Sequence, residues 1–222
     1  MIIILYSERV ATPPPDSVAV RAHGLDVDLG GRPVLRGVDL EVRAGTLLAV
    51  VGRNGSGKTT LLGALAGLVP PRAGTVQRAS DDVAFVLQHT DLSPGLRLTV
   101  GELVAMGRWR RTGLWRPLSR VDRAIIAESL ATVGLDGLGR RPVADLSGGQ
   151  RQRALLAQGL ARRAPLLLLD EPMTALDDAS RAAIDAAMRG AADAGAAVVV
   201  VTHDLGHLSR VDAVLELVPP AA

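Results

Sequence analysis

Residues 50–62 read VVGRNGSGKTTLL, and the fold of the whole chain is decided there. The stretch holds Lys58, the only lysine among 25 lysine and arginine residues. Gly52 to Thr59 fit the pattern G-x-x-x-x-G-K-[ST], after an aliphatic run and before an apolar helical segment, which is the context a phosphate loop requires. Gly52, Gly55 and Gly57 let successive backbone N–H groups converge at a helix N-terminus, where the dipole favours an anion. Arg53, Asn54, Ser56 and Thr60 complete the candidate nucleotide-binding set. Lys58 is a compact point charge for the β- and γ-phosphates, and Thr59 offers a hydroxyl to Mg²⁺. The planar fork of arginine is a poor substitute in such a cradle. By itself the loop specifies a nucleotide triphosphatase or a kinase.

Outward from this loop, short aliphatic runs bounded by Gly, Pro or charge read as buried parallel strands: 46–52, 83–88, 165–171, 196–203 and 213–218. VAVRAHGLDVDL and GVDLEVR alternate more, as half-exposed antiparallel strands do. Residues 98–145 carry apolar positions at helical spacing with no buried strand between them, so a helical subdomain is expected there. The predicted fold is α/β, mainly parallel, with an antiparallel β edge and this helical insertion. One domain is expected over 18–218, with loose tails at 1–17 and 219–222. The short C-terminus gives no sign of an appended regulatory domain.

Composition narrows the classes. With 48% apolar residues and 2% aromatics, the core is aliphatic. Cysteine is absent, which excludes disulfides and thiolate metal sites. The four histidines show no metal-ligand spacing; His89 and His207 read as surface residues. A net charge of +2 announces no nucleic-acid partner. No apolar run approaches the roughly 20 residues of a membrane span. The opening MIIILYSERVATPPPDS has no basic residue before its short apolar part, so it is not read as a signal peptide, and the chain reads as cytosolic.

Two further segments carry chemistry. PLLLLDEP places Asp170 at the carboxyl end of a strand, where parallel sheets bind ligands, with Glu171 directly after it. Asp170 suits Mg²⁺ held through water. Glu171 suits a general base facing an attacking water. LSGGQRQR begins at Leu146, and Ser147, Gly148 and Gly149 open a predicted helix running to Leu160, with Gln150 in its first turn. A serine hydroxyl with bare backbone amides forms a second anion site. One chain thus has two γ-phosphate sites for a single γ-phosphate.

The LSGGQ segment resembles the signature of ATP-binding-cassette ATPases, and other motifs fall in the order of that family. Gln88 ends the strand AFVLQ at the position of the Q-loop. Ala175 to Asp177 match the D-loop, and His203 in VVTHD matches the switch histidine. The resemblance covers about residues 18–218. It implies ATP and Mg²⁺, with Thr59, Gln88 and Asp170 around the ion and Glu171, His203 and Gln88 acting on the water. It also implies a second cassette paired head to tail, so that Ser147 to Gly149 of one copy face the phosphate loop of the other. Gln88 would connect to the membrane partner. The family's aromatic that stacks on adenine is replaced by Leu29, so weak discrimination between ATP and GTP is expected.

Chromosome-maintenance cassettes insert long coiled coils that are absent here, and translation-type cassettes come as tandem pairs. The chain most resembles the energising subunit of a bacterial transporter at the cytoplasmic membrane face, with separate permease subunits and, indirectly, an extracytoplasmic metal-binding protein. Leu98 to Gln150 is similar to zinc or manganese importer cassettes, including actinobacterial zinc uptake ATPases, and somewhat less to those for iron–siderophore, haem or cobalamin. A soluble cassette regulating a macromolecular machine is the alternative of a different class. GRWRRTGLWR holds Trp109 and Trp115 among Arg108, Arg110, Arg111 and Arg116. It is either a solvated loop whose tryptophans cover a small core or a docking surface for the membrane subunit.

Overall fold

A computed structural model describes residues 17–87, 98–113 and 116–219. Residues 1–16 and 220–222, with Gln88, His89 and Trp115, lie outside them. The chain starts with a long antiparallel pair, β1 (Val18–Leu29) and β2 (Arg32–Arg43), followed by β3 (Leu47–Val51) and α1 (Lys58–Ala66). Next come β4 (Ala73–Arg78) and β5 (Val83–Val86), then α2 (Val100–Ala105), α3 (Trp109–Thr112) and α4 (Arg120–Thr132). The second half holds α5 (Gly148–Arg162), β6 (Leu166–Asp170), α6 (Asp178–Asp193), β7 (Ala197–Val201) and β8 (Ala213–Glu216).

The strands form two sheets. β5-β6-β7-β3-β8 is parallel throughout, and β2-β1-β4 is antiparallel. The antiparallel part expected at an edge is therefore a sheet of its own. β4 was not foreseen: AGTVQR is mostly exposed, and its one aliphatic large enough to notice, Val76, is half-buried. It is held by its antiparallel backbone pairing with β1, which approaches closely at Gly74. A Cβ on Gly74 would sit 2.2 Å from the Gly24 carbonyl oxygen of β1, and Gly74 has φ 80°.

The aliphatic runs sort themselves by the period of a strand. Leu47, Ala49, Leu167, Leu169, Val198 and Val200 face one core, shared with α2, α4, α5 and α6. Their alternates Leu48, Val50, Leu166, Leu168, Val199 and Val201 face the other, with α1 and the antiparallel sheet. Complete burial of each such side chain is worth roughly 1.5–3 kcal/mol, so a one-residue slip would disrupt both cores together.

The helices between residues 98 and 145 are closed by their own side chains. Thr99 with Glu102 and Ser119 with Asp122 form capping boxes at α2 and α4. Here the docking reading of GRWRR needs a correction. Arg108 is 2% exposed, donating from Nε to Asp122 Oδ1 at 2.9 Å and from Nη1 to the Ala161 carbonyl at 2.9 Å. It ties α3 to α4 and α5 and is no surface cation. Trp109 remains 42% exposed, and Arg110 stands 3.7 Å from Asp82.

Candidate functional site

Strand order brings the motifs together. β7 lies between β3 and β6, and Val201 is in register with both Val50 and Asp170. The carboxyl ends of the three strands are therefore level, and the segments leaving them are Gly52–Gly57, Glu171–Ala175 and Thr202–His203. The switch strand sits in the middle although it comes last of the three in the chain.

The phosphate loop is closely fitted. A Cβ on Gly52 would lie 2.6 Å from both the Leu217 carbonyl oxygen and Ser56 Oγ. One on Gly57 would lie 2.8 Å from Leu35 Cδ2 and 3.0 Å from Val34 Cγ1 of β2. Gly55 needs only its φ of 81°, since nothing lies within 4 Å of it. Lys58 is 6% exposed and its Nζ donates to the Gly52 and Arg53 carbonyls at 2.9 and 3.2 Å. Ser56 Oγ is buried with no hydrogen-bond partner, a polar atom that such burial penalises until something pairs with it. Arg53, Asn54 and Thr59 are exposed, and Thr60 is half-buried.

Thr59 donates its hydroxyl to Asp170 Oδ2 at 2.7 Å. Asp170 is buried, and that burial pushes its carboxyl above the usual range; the neighbouring Glu171 charge adds to the rise, while Thr59 and Lys58 oppose it. A hydroxyl and a carboxylate side by side at a phosphate loop match what Mg²⁺ takes, oxygen ligands with one or two carboxylates plus phosphate and water. Among the described residues no cluster of three or more His, Cys, Asp or Glu could hold a metal by itself.

Glu171 adopts φ 44°, left-handed for a non-glycine residue. Its N–H donates to the Val201 carbonyl at 3.1 Å, which fixes that turn at the end of β7. Its Oε2 accepts from Thr174 Oγ1 at 3.0 Å and lies 3.6 Å from His203 Nδ1. His203 is exposed on a turn that the sequence reading passed over: Thr202 Oγ1 donates to the Asp204 carbonyl at 2.9 Å and accepts from Asp204 N–H at 3.1 Å. Thr202 is 7% exposed, and its N–H donates to the Val50 carbonyl of β3. The signal was the threonine two residues before an aspartate, a local side-chain turn. A small pocket of about 70 Å³ opens between Glu171, Thr174, Arg181, His203 and His207. His207, read as a surface residue, is half-buried on its wall.

The LSGGQ turn sits elsewhere in the bonding pattern. Ser147 caps α5, its Oγ accepting from Gln150 N–H at 3.2 Å while its own N–H donates to Gln150 Oε1 at 3.1 Å. Leu146 is buried and Gly148 stands open, with nothing within 4 Å of a Cβ. Gly149 abuts the start of α6, where Asp177 is the N-cap. Among the described residues, no hydrogen bond of Ser147 to Gln150 reaches the phosphate loop. Leu29 lies at the tip of β1, 46% exposed.

Residues 35–174 match the family model described as ABC transporter. The hemin import ATP-binding protein HmuV of Streptomyces coelicolor is 47% identical over 214 residues, 91% of this chain and 76% of that protein. The zinc import ATP-binding protein ZnuC of Paramagnetospirillum magneticum is 41% identical over 183 residues, 82% of this chain and 66% of that protein. Among solved structures, an inward-facing conformation of a putative metal-chelate type ABC transporter has a TM-score of 0.81 at 29% identity, over 90% of this chain and 80% of that one. The dimeric bacterial ABC transporter cassette MJ0796 has a TM-score of 0.76 at 27% identity, over 89% of this chain and 94% of its own.

Proposed function

Because the chain belongs to the ABC transporter family and is one of its ATP-hydrolysing cassettes, we propose that it energises uptake of haem or a related iron chelate through separate permease subunits. That it is an importer cassette follows from its relatives; the cargo is the finer step. The 47% identity to a hemin importer supports iron chelates ahead of zinc, which the sequence favoured. Zinc stays as the second reading because a zinc importer is 41% identical. No described helix is long and apolar enough to cross a membrane, in keeping with a peripheral subunit on membrane partners.

The observation that carries the mechanism is the level ending of β3, β7 and β6. In this reading the Gly52–Thr60 turn and Lys58 hold the β- and γ-phosphates, and Ser56 Oγ gains its missing partner. Mg²⁺, held by Thr59 and Asp170 with Gln88, would draw charge from the phosphate oxygens. Glu171 accepts a proton from the water that attacks the γ-phosphorus, as general base. Thr174 and His203 keep Oε2 aimed, and the Val201 carbonyl holds the backbone turn. Ser147 to Gly149 are offered to the nucleotide of a second copy, since their own bonds leave the phosphate loop of the same chain untouched.

The test is reconstitution in liposomes with permease subunits that co-purify with the chain. ATP-dependent accumulation of hemin, abolished by Lys58→Ala, is expected. Accumulation of zinc without hemin would overturn the iron reading and leave the cassette mechanism standing.

A further inference from the structure

Gly149 is a glycine for a reason unrelated to phosphate. A Cβ there would lie 2.7 Å from Ser180 Oγ and 3.8 Å from Leu176 Cδ2. Ser180, in the first turn of α6, is 3% exposed and packs against the first turn of α5 at Gly149. Its N–H donates to Asp177 Oδ1 at 2.7 Å. The Asp177 carboxyl is held below its usual range by that N–H and by the Ser180 hydroxyl, and the Arg153 and Arg181 charges add to this. Asp177 itself is exposed beside the LSGGQ turn. Arg153, one turn along α5, donates from one guanidinium nitrogen to the Val133 and Gly134 carbonyls at 3.0 and 3.3 Å, at the end of α4. One buried serine thus bridges two exposed motifs, and one arginine ties that bridge to the helical layer.

We propose that Ser180 is a positioning residue that locks the LSGGQ turn and Asp177 into one rigid surface presented to a second copy of this chain, with Arg153 coupling that surface to α4. The inference rests on the head-to-tail reading of the preceding subsection. Asp177 and Ser147 to Gly149 then move together, and any displacement of α4 moves both. Alanine at 180 keeps the N–H bond to Asp177 and removes only the hydroxyl's, and a hydrogen bond to a charged group is strong enough for its loss to be measurable.

The experiment uses the full chain carrying Glu171→Gln and follows ATP-dependent dimer formation by sedimentation. Binding of a fluorescent ATP analogue to the dilute monomer is measured in parallel. Ser180→Ala should weaken the ATP-dependent dimer about tenfold, on the order of one hydrogen bond to a charge, with monomer affinity for nucleotide unchanged. Arg153→Gln should give the same pattern more weakly and serves as a second variant. A purely structural serine would lower monomer binding and dimerisation together. Dimerisation insensitive to both substitutions overturns the inference alone. A Ser180-intact Glu171→Gln chain that stays monomeric with ATP overturns the head-to-tail reading and this inference with it.

Discussion

Two glycine-rich helix starts in this chain look alike in sequence and differ in construction. At α1 the loop is enclosed: Gly52 and Gly57 have no room for a Cβ, Lys58 is buried, and Asp170 stands behind Thr59. At α5 the turn closes on itself through Ser147 and Gln150, Gly148 faces open space, and the tight contact at Gly149 points backwards onto Ser180. The first is an enclosed cradle in which the backbone has no room for larger side chains. The second is an outward-facing turn closed by its Ser147–Gln150 capping box, with the first amides of α5 beside it, suited to meeting something from outside the chain. Equal glycine content therefore says little about use; what lies within 3 Å of the absent Cβ separates the two.

The comparison breaks most visibly at the end of β6. Glu171→Gln should lower turnover about 10²–10⁴-fold, the range of general-base catalysis, with ATP still bound at the intact α1 loop. Hydrolysis near the wild-type rate would remove Glu171 from the base role. Gly52→Ala against Gly148→Ala sharpens the contrast directly. The first forces a methyl into the Leu217 carbonyl and Ser56 at φ 155° and should abolish nucleotide binding to the monomer, as seen by fluorescence titration. The second should leave that binding intact. Equal losses would mean that the two turns are not built differently in the way described.

A smaller effect concerns the base. With Leu29 in place of an aromatic, ATP and GTP should bind the Glu171→Gln chain within roughly tenfold of each other, since an aromatic contact is worth about 0.5–1.5 kcal/mol. A much larger preference for ATP would show that another group reads adenine. The smallest effect is on stability. Burial raises the Asp170 pKa, so its ionised form destabilises the nucleotide-free fold. That cost is absent below the ordinary carboxylate pKa and complete once pH exceeds the raised one. Asp170→Asn should therefore melt higher than wild type at pH 8, with the gain shrinking as pH falls towards 4. A gain independent of pH would exclude the charge as its cause.

Much of the frame was legible before any coordinates. LLAVV, LLLLD and AVVVV are too short and too uniformly aliphatic to be anything but buried strands beside helical segments, and the strand–loop–helix context fixed the phosphate loop. β4 was hidden because an exposed edge strand needs no apolar run, only backbone pairing with β1, with Gly74 allowing the close approach at Gly24. Arg108 misled because an arginine between a glycine and a tryptophan looks like surface, whereas Asp122, 14 residues on, takes its charge inside. Thr202 was passed over although its turn with Asp204 is local, and Ser180 because the Gly149 it packs against lies far away in the sequence.

The sequence by itself determined the local chemistry: which turns can bind phosphate, which strand ends carry carboxylates, and which period each segment follows. Those properties depend on residues within a few positions of one another, where backbone geometry is set by sterics and hydrogen bonding. Tertiary structure decided that β7 lies between β3 and β6, so that His203 reaches Glu171 from the middle of the sheet. It also decided that the LSGGQ turn rests on Ser180. Both follow from burying two faces of one sheet at once, a constraint that acts between segments far apart in the chain.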